Sequence, residues 1–146
     1  MLRGVGWQML AVGCLVLPGC AKRPSVDHLP TFVASGRVFY GGKAAEGAEV
    51  QLWAVGGDPA LNLKLAGACP HATVEADGSF RLTTYSTGDG APAGDFALTI
   101  RWPLPPPPGR EVGQDRFGGR YADPARPLRQ VRISAADNVL EAIRLD

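Results

Sequence analysis

Hydrophobic and polar residues alternate in several short segments of the chain, which is the pattern of β-strands with one buried face. The clearest segment is "GDFALTIRW", where apolar side chains recur at residues 96, 98, 100 and 102. Five further segments show the same behaviour: "GRVFYGG", "AEVQLWAV", "GSFRLTTYS", "RQVRIS" and "EAIRL". With residues 71–76 added, they predict about seven short strands.

The turns between these segments fit an antiparallel arrangement. Asp77-Gly78 lies between two alternating runs and is a strong short-range signal for a hairpin. Gly41 and Gly42 can adopt the positive φ angles that turns need, and "AADN" at 135–138 is expected to turn the last pair of strands. Because a single sheet would leave its apolar face in water, we predict an all-β fold, a seven-stranded antiparallel sandwich of two sheets.

The first residues have a different pattern, typical of a secretory leader. Arg3 is followed by an apolar run at 7–17, shorter than the roughly 20 residues that span a membrane. The run ends in "LPGC", which resembles the lipobox of bacterial lipoproteins, in which the cysteine is acylated and the leader is cut before it. The resemblance implies a leader at 1–19 and an anchor of the palmitate type on Cys20, since two or more acyl chains hold a protein firmly on a membrane. A simple cleaved signal is the alternative.

Residues 20–31 are polar, contain two prolines and are predicted to form a lipidated tether before a single domain at 32–146. Ala21 differs from the aspartate that marks inner-membrane retention in some lipoproteins, so an outer-membrane location is expected. With Cys20 acylated and Cys14 lost with the leader, Cys69 has no partner for an internal disulfide. It is either a buried small hydrophobic residue, as we expect, or a free thiol that pairs between chains.

Sequence motifs in the body occur in the order known from one family of β-sandwiches. They are "GRV" at 36–38, "GAEV" at 47–50, "DGSF" at 77–80 and "GDGAPAGDF" at 88–96. Over residues 34–145 this order resembles the carboxypeptidase regulatory-like domain, a transthyretin-like sandwich related to Ig-like folds. The resemblance implies a non-catalytic domain that serves as a folding aid or an interaction module, with no catalytic residues to carry over.

The charge and histidine content narrow the functional classes. A net charge of +1 and a pI near 7.7 argue against nucleic acid as a partner, since such proteins concentrate basic residues. His28 is expected to be a solvated tether residue. Cys69 and His71 could bind copper or zinc, but a metal site normally needs three or four ligands and no second cluster occurs. With no nucleophile motif either, we predict no metal, no cofactor and no enzymatic activity.

Carboxylates offer two further alternatives. Asp89, Asp95 and Asp115 could form a carboxylate pair for glycoside hydrolysis, and Asp77 with Asp89 and Asp95 could bind calcium. Both Asp89 and Asp95 flank turns rich in glycine and proline, where an aspartate more often binds its own backbone. We therefore expect these carboxylates to be structural.

Residues 103–127, which begin with "PLPPPPG", interrupt the strand pattern for roughly 25 residues, a length that is unusual in a compact domain. The proline run predicts a stiff polyproline II segment, and a ligand for a peptide-binding domain is one interpretation. We expect instead a crossover between the two sheets. Within it Arg116, Arg120 and Tyr121 could contact a partner, although we expect Tyr121 to anchor the loop and the arginines to pair with Asp115 or Asp123.

Arginines at 37, 81, 101 and 132 occupy the faces opposite the apolar residues of their strands, and Trp53 and Tyr85 share that outward position. Arginines beside aromatic rings can bind an anionic glycan or a protein surface, while a solvated sheet face is the simpler interpretation. The candidate binding residues are Trp53, Arg81, Tyr85, Arg116 and Arg120.

The sequence as a whole predicts a lipoprotein of the bacterial cell envelope, held on the outer membrane by lipidated Cys20. Its sandwich is expected to be a non-catalytic structural or protein-interaction module. The alternative is a carbohydrate-binding module of the envelope. The expected partners are the membrane, through the lipid anchor, and an envelope protein or glycan.

Overall fold

The computed structural model of the protein describes residues 28–55, 65 and 68–146. The predicted leader and Cys20 lie outside these residues. The described part of the chain contains eleven strands and no helix, and thus no candidate for a membrane-spanning helix.

The strands are β1 (Thr31–Phe32), β2 (Ala34–Tyr40), β3 (Lys43–Ala44), β4 (Glu49–Ala54), β5 (His71–Thr73), β6 (Ser79–Arg81), β7 (Ala91–Pro92), β8 (Gly94–Arg101), β9 (Arg129–Ile133), β10 (Asn138–Val139) and β11 (Ile143–Leu145).

The more regular sheet has four strands in the order β5-β4-β8-β9, all antiparallel. Its centre is the pair of β4 and β8, which runs in register from Glu49 opposite Arg101 to Ala54 opposite Phe96. The inward residues of this pair are fully or almost fully buried, as the alternation predicts. Strand β8 is buried on both faces, because Ala97 and Thr99 are also covered.

The second sheet is assembled around β2 from short pieces. Strands β6 and β3 pair antiparallel with successive parts of one edge of β2, and β10 and β11 pair parallel with the other edge. An isolated bridge between His71 and Thr83 joins β5 of the first sheet to the chain just after β6. The small β1–β7 pair lies beside the start of β2.

The two sheets enclose one apolar core, so the protein is an all-β sandwich, as predicted. The largest side chains that it buries completely are Phe96, Leu52, Leu82, Leu98, Ile100, Ile133 and Ile143. These come from β4, β8, β9, β11 and the segment after β6, so every long stretch of predicted alternation contributes to the core. Such burial is the main favourable term in the folding of a domain of this size.

The described structure differs from the prediction in strand number and in the pairing of the last strands. The turn at 135–138 exists, but it does not form a hairpin. The Asn138 side chain accepts hydrogen bonds from the amide and hydroxyl of Ser134, and the Asn138 amide binds the Val33 carbonyl at 2.8 Å. After this turn the chain crosses to the other sheet, where β10 and β11 pair in parallel with β2.

The packed body also begins earlier than residue 32. The His28 ring stacks on Tyr85 with 4.1 Å between centroids, the Leu29 amide donates to the Tyr85 hydroxyl, and β1 starts at Thr31. The last residues of the predicted tether thus pack on the sandwich, and His28, though exposed, is not a free linker residue.

The expectation of a crossover at 103–127 is wrong. This insert joins β8 to β9, which are adjacent antiparallel strands of the same sheet. Residues just after β8 pair with a later part of the insert. The Leu104 N–H donates to the Gln114 carbonyl, and the Arg116 N–H donates to the Trp102 carbonyl. The insert is therefore a long excursion from one hairpin, and residues 103–116 form an arm that we call the proline arm.

Candidate functional site

Four aromatic rings pack together where β2 and β8 end, and we call this region the aromatic end. Tyr40, Trp102, Phe117 and Tyr121 form it, with neighbouring ring centroids 5.1–6.1 Å apart. The T-shaped contacts that dominate are a favourable geometry for aromatic pairs. Trp102 is fixed further because its indole N–H donates to the Glu46 carbonyl at 2.9 Å.

Two arginines from the insert lie on these rings. The Arg116 guanidinium carbon is 4.2 Å from the centroid of Trp102, and that of Arg120 is 5.1 Å from the centroid of Tyr121. Both distances are within the range of cation–π attraction. Both arginines are exposed at the surface of the aromatic end, and Arg120 also donates a hydrogen bond to the Asp146 main-chain oxygen at 3.5 Å.

The insert is anchored by Tyr121, as predicted, but the arginines do not pair as predicted. The buried Tyr121 hydroxyl donates to the Asp146 main-chain oxygen at 2.9 Å. Within the described residues Arg116 and Arg120 form no ion pair with Asp115 or Asp123. The reason is that Asp115 accepts from the amides of Trp102 and Gly119, and Asp123 is bound by Arg126.

The tip of the proline arm is exposed. Residues 104–112 are all exposed to solvent, and the Val112 side chain is an exposed large hydrophobic group at 61%. The base of the arm is tight, because a Cβ on Gly113 would lie 1.6 Å from the Leu104 carbonyl oxygen. A stiff, prolinyl tip on a tight base loses little conformational entropy on binding.

At the opposite end of the sandwich the described chain begins, and we call this the entry end. The loop at this end is held by Asp89, whose carboxylate accepts hydrogen bonds from the backbone amides of Thr84, Tyr85 and Ser86 at 2.7, 3.0 and 3.1 Å. Burial would raise the pKa of this carboxyl, but the three amide hydrogen bonds outweigh it and the pKa is lowered. Asp89 is thus committed to holding its own loop.

The other aspartates that the sequence singled out are also held by local partners. Ser79 donates its hydroxyl and amide to Asp77 and lowers the pKa of that carboxyl. The Arg132 guanidinium forms two hydrogen bonds to Asp95, at 2.8 and 3.0 Å, and lowers the pKa of Asp95. These contacts leave each carboxylate with a structural partner of its own.

A groove of about 840 Å³ lies on the outer surface where β5, β6 and β2 meet, and we call it the arginine groove. Its floor carries the outward side chains of the three strands, among them His71, Thr73, Ser35, Arg37 and Arg81, and its side wall is formed by Val139, Leu140 and Ala142.

The four outward arginines differ in whether they form ion pairs, and the two that line the groove do not. Arg101 pairs with Glu49 and Arg132 with Asp95, each across neighbouring strands. Arg37 and Arg81 form no ion pair with any described residue. The two arginines of the groove are therefore the ones available to a ligand.

The five predicted binding residues do not share one surface. Trp53 is 37% exposed on β4, where its indole N–H donates to Thr99, while Arg81 is on β6 in the other sheet. Tyr85 is covered by His28 at the entry end. Trp53 lies opposite Ala97 on β8, so about five residues, or roughly 17 Å along the strand, separate it from Trp102 at the aromatic end.

The His71 side chain contacts the main chain of Cys69 and not its thiol. The His71 ring nitrogen Nδ1 is 2.9 Å from the Cys69 carbonyl oxygen. The thiol is half-buried, and this burial raises its pKa, which opposes formation of the thiolate. Among the residues that the structure describes, no three metal-ligating side chains come together.

Sequence reasoning missed Tyr40, Trp102 and Phe117 as members of one surface. Strand alternation assigned Trp102 to the apolar face of its strand, Tyr40 was only part of the segment "GRVFYGG", and Phe117 fell in the unpatterned insert. The available signal was the position of Tyr40 and Trp102 at the last residue of each alternating run, where the core ends.

No protein-family model matches the chain, and no curated protein sequence does. Among solved structures, the chain is similar to a DUF3823 family protein from Parabacteroides merdae ATCC 43184. The identity is 18%, the TM-score is 0.40, and the match covers 77% of this chain and 45% of that one. The chain thus spans less than half the length of that structure, and a likeness at this level carries no information about function.

Proposed function

We propose that the protein is a lipoprotein of the bacterial cell envelope, anchored in the outer membrane through acylated Cys20, whose sandwich is a non-catalytic module that binds another envelope protein. The observation that carries this proposal is that two features lie at opposite ends of the domain. The chain enters at one end, and the surface best suited to a protein partner lies at the other.

The distance between the two ends supports such a display. Strand β2 begins beside the entry end at Ala34 and reaches the aromatic end at Tyr40. Six residue steps in a strand correspond to about 20 Å. A domain tethered by its N-terminal side would present its aromatic end away from the membrane.

The chemistry of the aromatic end supports a protein partner. Aromatic side chains and arginine are enriched in protein interfaces and among the residues that dominate binding energy. Here Arg116 and Arg120 lie on Trp102 and Tyr121, beside the exposed tip of the proline arm. A binding surface with a preorganised arm needs little ordering on association.

The assignments of the carboxylates support a non-catalytic role. Asp77, Asp89 and Asp95 each accept hydrogen bonds that stabilise a turn or a strand pair. A general acid or base needs a pKa near the working pH, whereas the pKa of each of these three is lowered.

The domain itself we assign to the carboxypeptidase regulatory-like group. Support comes from the contact between two of its motifs. Gly36 and Phe80 are register partners in β2 and β6, and a Cβ on Gly36 would lie 2.6 Å from the ring of Phe80. Gly78, at φ +85°, makes the turn that brings Phe80 there.

The anchor is tested by metabolic labelling with an alkyne fatty acid in a diderm bacterial host, for the wild type and Cys20→Ala. The wild type should be labelled and should band with the outer membrane on a density gradient. Cys20→Ala should be unlabelled and released from the membrane. Labelling of Cys20→Ala, or its retention in the membrane, would contradict the anchor.

The partner is tested by in-cell photo-crosslinking with benzoylphenylalanine in place of Val112 on the proline arm. One defined protein should be captured, and the combined change Arg116→Gln and Arg120→Gln should abolish the capture. Ala136, in the turn at the entry end, is the matched exposed control and should not capture this protein. Equal capture from both positions, or capture that survives loss of the arginines, would refute the aromatic end as the binding surface.

A further inference from the structure

We infer that the arginine groove is a second binding site, for an extended acidic peptide segment that also carries apolar side chains. The groove lies on the outer face of β5, β6 and β2 and is distinct from the aromatic end. The inference goes beyond the proposed function and does not depend on it.

The strand register gives the floor of the groove its pattern. Ser35 is opposite Arg81 and Arg37 is opposite Ser79 in the β2–β6 pair, so the two arginines are diagonal neighbours, about 7 Å apart at Cα. His71 is opposite Thr83 in the next pairing. Positively charged and hydroxyl-bearing side chains therefore alternate over a rigid surface held by main-chain hydrogen bonds.

The arginines of the floor are not held by ion pairs. Arg37 and Arg81 are exposed and form no ion pair with described residues, while Glu75 is the only acid that lines the groove. Asp77 interacts electrostatically with Arg37, although its carboxylate accepts its hydrogen bonds from Ser79. A guanidinium recognises a carboxylate in a bidentate geometry, so the floor suits two acidic side chains.

The wall of the groove adds an apolar component. Val139 is 85% exposed, the highest value among the large hydrophobic residues that are exposed in the described structure. It is the register partner of Ser35, and Leu140 and Ala142 extend the wall. An alternation of acidic and apolar side chains on one extended strand would meet both the floor and the wall.

A peptide suits this lining better than a glycan does. Sugar rings are usually bound against the flat face of an exposed aromatic side chain, and the lining contains one aromatic ring besides His71, that of Phe80, which is buried. Exposed aliphatic groups beside arginines instead match the side chains of an acidic peptide.

The test is fluorescence anisotropy with a labelled nine-residue peptide of alternating glutamate and leucine, and the full chain in a neutral detergent at low salt. The wild type should bind this peptide at least tenfold more tightly than a peptide in which glutamine replaces glutamate. Arg37→Gln with Arg81→Gln should weaken binding at least tenfold, and Val139→Ser about threefold. Added salt should weaken binding, since the contacts are charged.

Two control variants separate this site from the rest of the surface. Arg126→Gln removes one charge from a side chain that is 87% exposed outside the groove, and Arg116→Gln alters the aromatic end. Neither should change the dissociation constant by more than twofold, and circular dichroism checks that all variants are folded. Loss of peptide binding in Arg116→Gln would move the peptide site to the aromatic end.

Three further results would overturn the inference. They are equal binding of the acidic and neutral peptides, equal weakening by Arg126→Gln and by the groove variants, and displacement of the peptide by polygalacturonate at a lower concentration than by unlabelled peptide. The last would make the groove a glycan site. None of these results bears on photo-crosslinking at Val112, so the two proposals fail separately.

Discussion

The entry end and the aromatic end close the same sandwich by different physical means. At the entry end one carboxylate, Asp89, gathers three backbone amides, and the main chain at Gly90 passes directly against Phe32. At the aromatic end, contacts are spread over four rings and two guanidinium groups. One end depends on directional hydrogen bonds and close backbone packing, and the other on distributed surface contact.

The two ends should therefore respond differently to amino-acid substitution. Hydrogen bonds to a carboxylate and backbone contacts tolerate almost no displacement, so a single added atom can disrupt the entry end. Contacts between rings are individually weak and shared, so the aromatic end should lose stability in proportion to the surface removed.

The largest effect is expected for Gly90→Ala at the entry end. Gly90 has φ +92°, and a Cβ there would lie 1.8 Å from the Phe32 carbonyl oxygen, a backbone atom. The loss in free energy of unfolding should be at least about 3 kcal/mol, measured by urea denaturation. The matched control is Gly42→Ala, next to the aromatic end, with φ +78° and nothing within 4 Å of the added atom. It should cost about 1 kcal/mol, and equal losses would show that backbone packing does not distinguish the ends.

A smaller effect is expected for Trp102→Ala at the aromatic end. Trp102 is half-buried against Tyr40 and Phe117, so its loss should cost about 2–3 kcal/mol, below the usual range for a fully buried tryptophan. Trp53→Ala is the control, because Trp53 also donates one indole hydrogen bond but lies on an outer face. Its cost should be about 1 kcal/mol. A larger loss for Trp53 than for Trp102 in thermal and urea denaturation would contradict the aromatic end as a packed unit.

The smallest effect, and the one that depends on pH, is expected for Asp89→Asn. At pH 7 this change should cost about 1.5 kcal/mol, because asparagine has one acceptor oxygen where the carboxylate has two, so at least one of the three backbone amides loses its acceptor. The pKa of Asp89 is lowered in the folded protein, so its contribution is complete above the unfolded value of about 3.9 and is lost as the pH falls through the folded value.

The check is the difference in unfolding free energy between the wild type and Asp89→Asn, measured from pH 7 down to about pH 2. The difference should shrink below about pH 4, while the difference caused by Trp102→Ala should keep its size over the same range. A difference for Asp89→Asn that stays constant with pH would show that the charge of Asp89 does not organise the entry end.

For the arginines, the sequence predicted the direction of each side chain but not its partner. Alternation correctly assigned Arg37, Arg81, Arg101 and Arg132 to outward faces, because side-chain direction follows from strand period alone. Which of them have partners depends on strand neighbours. Arg101 meets Glu49 across the β4–β8 pair, whereas Arg37 and Arg81 come together only because β6 crosses to the sheet of β2. Trp53 and Arg81 both occupy outward positions of their strands but belong to different sheets.

The insert teaches the same lesson about residues without periodicity. Tyr121 was correctly expected to anchor it, whereas the expected crossover between the sheets is wrong. The partners of Arg116 and Arg120 were assigned by proximity in sequence to Asp115 and Asp123. Those carboxylates are occupied by backbone amides and by Arg126, so the arginines lie on aromatic rings instead.

The period of a strand and the need to bury apolar surface are local properties of the chain, so the sequence was enough to predict a β-sandwich with buried alternate residues in β4 and β8. It also indicated the turn at Asp77-Gly78. Three features depend on how the strands pack: β10 and β11 lie parallel to β2, the insert returns to its own sheet, and the groove and the aromatic end each combine distant segments. These features join residues far apart in the chain, and the hydrogen bonds that select one pairing over another exist only once the strands are packed.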